Sequence, residues 1–267
     1  MAGKQLFPLR FDGSVYGSWH NHSDWSDGGS SMEDMCRSAK LSGVREFGLS
    51  DHYVIPPYEG TNCREWRMPP ERLEDYVLCL QALKKELDDE TFTLRIGLEV
   101  DFFFENIDEV AADLKQYPLD YIIGSVHSAG VFSIDSDISY WDGLSADEIS
   151  GICETYWKKL EGAASCGYFN LLGHLDLPKK FGRVPEPDAY FPHALRVLDA
   201  AAATGTPIEL NTAGWFKECA EQYPALNMIR AAKERNIPVV INADAHSCKH
   251  ITRAFDRAAE VIRQAGN

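Results

Sequence analysis

The stretch LDYIIGSVH, residues 119–127, decides how the rest of the chain is read. A short apolar run that ends on a histidine fits a strand buried in a parallel sheet, with its polar residue at the C-terminal end. Six other short runs follow a similar plan: VYGSWHNH (15–22), REFGLSDH (45–52), TLRIGLEV (93–100), YFNLLGHLD (168–176), TPIELN (206–211) and IPVVINADAH (237–246). Helix-like stretches lie between them, near 31–42, 70–89, 105–116, 145–166, 187–204 and 221–235, with a terminal one near 250–265. Ser30-Ser31 before Glu33 and Asp34 predicts an N-cap, Pro70 a first turn, and Gly43 and Gly205 helix ends.

Strand–helix alternation of this kind implies a parallel sheet with right-handed crossovers. Seven strands predict a closed or nearly closed α/β barrel. An open doubly wound sheet is the alternative, but no G-x-G-x-x-G follows the first strand to support a dinucleotide fold. The 267 residues suit one such barrel, so residues 1–267 are read as a single domain.

Composition narrows the partners. Hydrophobic residues make up 45% of the chain and charged residues 25%, as in an ordinary soluble globular protein. The net charge of −15 argues against nucleic acid or an anionic membrane, which need a basic surface. A small anionic substrate stays open if metal ions invert the charge locally. No run approaches the ~20 apolar residues of a membrane span, and the first residues do not resemble a signal peptide. Seven scattered cysteines without a C-x-x-C read as reduced thiols in a cytoplasmic protein.

Histidine placement carries the functional reading. Of eight histidines, His20, His22, His52, His127, His174 and His246 fall at the C-terminal ends of predicted strands. Glu99 and Asp244 sit there too. In a parallel barrel all these ends open onto one face, where active sites lie. An i, i+2 spacing puts His20 and His22 on one side of a strand, and likewise Asp244 and His246. A lone histidine at a strand end is ordinarily a satisfied polar residue; six at one mouth with two carboxylates indicate a metal site. Imidazole and carboxylate without cysteine suit Zn, Mn or Fe. The number of candidate ligands exceeds the three of a mononuclear catalytic zinc and implies a multinuclear centre. His193 falls in a helix, and His250 in a loop after the last strand; neither is assigned a metal.

Taken in order, H-N-H-S (20–23), W-S-D-G (25–28), S-D-H (50–52), G-L-E-V-D (97–101), G-S-V-H (124–127), G-H-L-D (173–176) and A-D-A-H (243–246) resemble the motifs of the polymerase and histidinol phosphatase (PHP) family. The stretches E-L-N-T-A-G-W, K-K-F-G and the Tyr223-Pro224 pair are similar to its monofunctional histidinol-phosphatases. The resemblance implies a distorted (β/α)7 barrel with the metal site at the C-terminal strand ends. It implies three divalent transition-metal ions and adds Asp27 as a ligand. His20, His22, Glu99 and Asp244 would hold the first ion. Glu99 would bridge to a second, held by His127 and His174, and Asp27, His52 and His246 would hold the third. Catalysis is expected to depend most on Glu99, Asp244 and His246. The family usually has Asp two residues before the first histidine, where this chain has Ser18, which puts outer tuning of the site in question.

The implied activity is that of a phosphomonoesterase, hydrolysing L-histidinol phosphate in histidine biosynthesis by metal-activated hydroxide. Activity on nucleotides or other small phosphates is the alternative. An amidohydrolase would need a bridging lysine at a middle strand end, where this chain has Glu99. A non-catalytic metal-binding regulator is a third reading, which retention of every expected ligand disfavours. Lys180, Arg183 and Lys217 are candidate substrate contacts, with Arg183 preferred for phosphate because guanidinium grips it bidentately. Glu209 and Asp176 are candidates to orient a ligand or meet the substrate's ammonium group.

Overall fold

The computed structural model describes residues 5–184 and 187–266. In chain order the strands are β1 (Gly17–Ser18), β2 (Glu46–Leu49), β3 (His52–Tyr53), β4 (Thr93–Asp101), β5 (Tyr121–Ser125), β6 (Ser128–Ala129), β7 (Phe132–Ser133), β8 (Leu171–Leu172), β9 (Ile208–Asn211) and β10 (Val239–Asn242). The helices are α1 (Met32–Ser42), α2 (Leu73–Leu87), α3 (Ile107–Leu114), α4 (Ala146–Cys166), α5 (Phe191–Thr204), α6 (Leu226–Glu234) and α7 (Phe255–Ala265). The main sheet runs β1-β2-β4-β5-β8-β9-β10 with every pairing parallel, and β3 also pairs with β4. Because β2 and β3 lie along the same neighbour, they act as one stave broken at Ser50-Asp51.

The sheet is therefore a nearly closed barrel of seven staves. Its seam lies between β1 and β10. There Asn21 bridges Ala245, the His22 amide donates to the Ala245 carbonyl at 2.9 Å, and the Trp19 amide donates to Asn242 Oδ1 at 2.8 Å. The first stave was expected over 15–22, but only two residues form a ladder. A side chain of β10 takes the Trp19 amide in place of backbone.

Alternation along β4 shows how sequence sets the two faces. Leu94, Ile96, Leu98 and Val100 join the core between sheet and helices. Gly97, Glu99 and Asp101 fall on the opposite, interior face. On β5, Tyr121 and Ile123 enter the interior cluster with Phe11, Trp19, Leu171 and Val240, while Ile122 packs outward. A Cβ on Gly97 would lie 2.2 Å from the Tyr121 ring, so glycine there lets the ring cross the barrel. This apolar plug closes the barrel below the strand ends and makes one end solid.

Helix boundaries follow local chemistry. The Ser31 hydroxyl accepts the Asp34 amide at 3.1 Å, a cap worth about 1 kcal/mol. Gly43 and Gly205 end α1 and α5 at φ +82° and +72°. Pro70 opens a 3-10 turn, Pro70–Arg72, ahead of α2. The helix expected from 221 starts at Leu226, because Tyr223 pairs with Asn211 through two backbone hydrogen bonds of 2.6 and 3.0 Å. The helix expected from 250 starts at Phe255 after a 3-10 turn at Cys248–His250. The β6–β7 hairpin was not foreseen; its two-residue strands are too short to leave a periodic signal.

Candidate metal centre

Nine side chains from seven parts of the chain converge at the mouth of the barrel. Glu99 is at the centre and is wholly buried. One of its oxygens, Oε1, lies 3.1 Å from His20 Nε2, 2.9 Å from His174 Nε2 and 3.5 Å from His127 Nε2. The other, Oε2, lies 2.7 Å from His52 Nδ1 and 3.7 Å from His22 Nε2. Asp244 Oδ1 is 3.1 Å from His22 Nε2, and Asp27 Oδ1 is 3.3 Å from His246 Nε2 and 3.6 Å from His52 Nε2.

Asp27 reaches the cluster through the W-S-D-G loop. Gly28 packs so closely that a Cβ would stand 2.6 Å from the His22 carbonyl oxygen, against backbone that cannot yield. The carboxylate of Asp51, buried, accepts from the Ser23 amide, the Ser23 hydroxyl and the Ser26 hydroxyl at 2.8, 2.8 and 2.6 Å. Those bonds hold the loop against the break in the second stave.

The imidazoles are aimed by a further ring of acids. Asp101 Oδ1 is 2.5 Å from His127 Nδ1, and Glu209 Oε1 is 2.8 Å from His20 Nδ1. Glu209 also accepts the His174 amide at 2.9 Å, and the Ser125 hydroxyl donates to Glu99 at 2.6 Å. Carboxylates on the far ring nitrogen fix tautomer and orientation and raise ligand basicity. Ser18 takes no part in this: its hydroxyl lies within reach of Asn21 Oδ1 and the Ile251 carbonyl, at 3.0 and 2.9 Å. The carboxylate behind His20 comes from Glu209 instead.

The polar atoms left over fit divalent cations. Among the described residues, His20 Nε2, both His22 nitrogens, His52 Nδ1, Glu99 Oε2 and His174 Nδ1 are buried with no hydrogen-bond partner. His52 Nδ1 and Glu99 Oε2 approach to 2.7 Å without alignment for a hydrogen bond. Four overlapping groups have ligand atoms within 4.8 Å of one another: His20–His22–Asp244, His20–Glu99–His174, His52–Glu99–His127 and His22–Asp27–His52–His246.

Without cations, protons must balance the acids. Burial would raise Glu99, but His20, His52 and His127 hold it well below the usual carboxylate range. Burial would lower His127 and His246; the adjoining carboxylates outweigh it and lift them to about 10 and about 9. His22, buried and pressed by His52 and His246, falls to about 3. Metal binding would exchange such protons for cations.

A cavity of about 610 Å³ opens above the cluster. Lys180 and Lys217 line it, as does His250, which sequence reading left out. Lys180 is engaged by Asp135, donating to its carbonyl at 2.6 Å and lying 3.3 Å from Oδ2. Arg183, the expected phosphate contact, is not among the lining residues. It lies beyond Gly182, which ends the preceding 3-10 turn at φ +63°, and pairs with Asp142 at 2.8 Å on the exposed surface. Glu209, expected to face substrate, is instead wholly buried beneath His20. Asp176 is buried too, binding Lys179 and the Ala225 amide at 2.8 Å each. His193 is on α5, hydrogen-bonded to Arg196 at 2.7 Å and remote from the cluster.

Asp101, Asp51, Ser125, Asp135 and Arg253 were missed. Asp101 had a usable signal: two residues after Glu99 on the same strand, it must share its face. The others come from loops or need the barrel's register.

A parallel barrel with clustered histidines and carboxylates at its mouth defines a metal-dependent hydrolase scaffold. The profile of the PHP domain matches residues 18–213, and the chain belongs to that family. It is 36% identical over 233 residues to the "Probable histidinol-phosphatase" of Deinococcus radiodurans, covering 87% of this chain and 86% of that one. It is 27% identical to the histidinol-phosphatase of Bacillus subtilis, with 90% and 97% covered. Histidinol phosphate phosphatase from Lactococcus lactis, solved with zinc, L-histidinol and phosphate, superposes with a TM-score of 0.75 at 19% identity, over 94% of each chain. Among the described residues no helix is long and apolar enough to cross a membrane.

Proposed function

We propose that this protein is a phosphomonoesterase acting on L-histidinol phosphate, with three divalent ions at the barrel mouth. His20, His22, Glu99 and Asp244 are assigned to the first ion, Glu99, His127 and His174 to the second, and Asp27, His52 and His246 to the third. Zn, Mn or Fe suits these nitrogen and oxygen donors. When bound, such ions supply an activated water and neutralise the charge on a transferring phosphoryl group. Glu99 would offer its carboxylate to the first and second ions, and Asp101 and Glu209 keep His127 and His20 aimed. The carrying observation is the convergence of five imidazoles on the two oxygens of buried Glu99.

The cavity supports the choice of substrate. Lys217 and Arg253 lie close enough to His250 to depress its pKa, after burial, and so form a cationic side next to His246. Asp135 answers to Lys180, His127, His174 and His52, and with Glu65 and Asp137 gives the lining an acidic contribution. A lining of both signs suits a phosphate ester that also carries an ammonium group. Trp66, edge-on to His52 at 4.8 Å and His127 at 5.3 Å, offers a ring surface for an imidazole. The seven unpaired cysteines support a reducing, cytoplasmic setting, and the charge of −15 supports a small-molecule partner over nucleic acid.

Contacts beyond the phosphate separate this substrate from nucleotides, since every monoester offers the metals the same group. In steady-state assays kcat/KM for L-histidinol phosphate should exceed that for nucleotide monophosphates by about a hundredfold, or ~2.7 kcal/mol. Equal values would refute the assignment and favour a broad small-phosphate esterase.

A further inference from the structure

We infer that Arg253, in the loop between β10 and α7, is the residue that grips the substrate's phosphate from outside the metal cluster. The inference rests on the phosphomonoester reading and supplies the contact that Arg183 does not. Arg253 lines the active-site cavity alongside Asp244, His246, His250 and Lys217. Its guanidinium stacks on the Phe216 ring, with Cζ 4.0 Å from the ring centroid. Its Nε is buried and has no hydrogen-bond partner, and no carboxylate within salt-bridge distance is found for it among the described residues. This holds in a chain where acidic side chains outnumber basic ones, 41 to 26. A buried donor left without a partner is unfavourable, and it leaves the guanidinium uncommitted to any carboxylate.

The backbone under it is fixed. The Thr212 hydroxyl donates to the Arg253 carbonyl at 2.7 Å, and the Arg253 amide donates to the His250 carbonyl at 3.0 Å. The next residue, Ala254, is held at φ +61°. A non-glycine residue persists in that left-handed region only where its surroundings impose it. A planar fork supported by a ring and a fixed backbone is arranged to take two oxygens of one phosphate, which a lysine cannot do. Lys180, by contrast, already serves Asp135.

The test reads phosphate binding apart from substrate choice. Inorganic phosphate is used as a competitive inhibitor of p-nitrophenyl phosphate turnover by the metal-loaded enzyme, with metal content measured on each variant. Arg253→Met should raise the phosphate Ki and the KM by about tenfold to a hundredfold at unchanged metal content. Its kcat should fall by a smaller factor, because the phosphate is charged in ground and transition states alike. Arg253→Lys, which keeps the charge and loses the fork, should lie between Met and wild type. A Ki within twofold of wild type in a folded, metal-replete Met variant overturns the inference. So does loss of metal as the main effect, which would make Arg253 a positioning residue for Asp244. If the Met variant does not fold, an unchanged Ki in the Lys variant overturns it equally. An Arg253-dependent phosphate Ki in an enzyme that ignores L-histidinol phosphate would leave this inference standing and sink the substrate assignment.

Discussion

At the floor of the cavity, His20, His22, His52, His127 and His174 are almost wholly buried, sit at the ends of staves, and converge on Glu99. At the rim, Lys180, Lys217, His250 and Arg253 come from loops and 3-10 turns: Lys180 serves Asp135, His250 Nδ1 lies 3.2 Å from the Ser247 hydroxyl, and Arg253 stacks on Phe216. The floor is set by sheet register: once β4 pairs with its neighbours, His52 must stand beside Glu99 and Glu99 beside Ile123. The rim is set by how each loop happens to fold back. The metal chemistry common to phosphate monoesters is assigned to the first region, while the second is proposed to hold the phosphate through Arg253 and to choose among substrates.

The sharpest way to break this division is at its centre. Glu99→Gln keeps the shape and removes the charge that five imidazoles face. Metal content should fall, and turnover should drop by about a hundredfold or more. Near-normal activity with full metal by elemental analysis would remove Glu99 from the centre of the site.

A smaller effect is expected one step outward. Asp101→Asn and Glu209→Gln leave every direct ligand in place but weaken the hold on His127 and His20. Metal affinity, titrated against a chromophoric chelator, should weaken by about tenfold to a hundredfold. Unchanged affinity in both would mean that sheet packing alone aims the imidazoles. The smallest effect belongs to residues outside both regions. Arg183→Met and His193→Ala should stay within about twofold of wild type in kcat/KM, as surface changes do. A large loss in Arg183→Met would return that residue to the phosphate site.

The same division governs what could be read from sequence. His127 and Glu99 were legible because a strand's end is visible as the end of an apolar run, and a parallel barrel sends all such ends one way. Asp27 was not legible by spacing; its approach depends on Gly28 packing against His22, and only the family motif pointed to it. Arg183 has the chemistry to hold phosphate, but it follows the turn at Gly182 and pairs with Asp142 on the exposed surface, a placement that depends on a loop rather than on a strand end. Glu209 was placed near the mouth correctly in sequence, yet a strand residue points inward or outward with register, and here it supports His20. Arg253 had no signal at all, because its loop follows the last stave and its stacking on Phe216 joins two segments far apart in the chain.

The narrow seam between β1 and β10 has a consequence for the whole molecule. His20 and His22 belong to the first stave, and Asp244 and His246 follow the last, so the candidate ligands grouped there come from the first and last staves. With so few backbone bonds across that join, cations held there as proposed would act as a clasp, tying the beginning of the barrel to its end. Filling the site then shuts a loop nearly as long as the protein, and the unfolded chain, which holds no such preformed site, is left at a disadvantage. Resistance to heat and the concentration of free metal should rise together, so the ions that carry the chemistry also help decide whether there is a barrel to carry it.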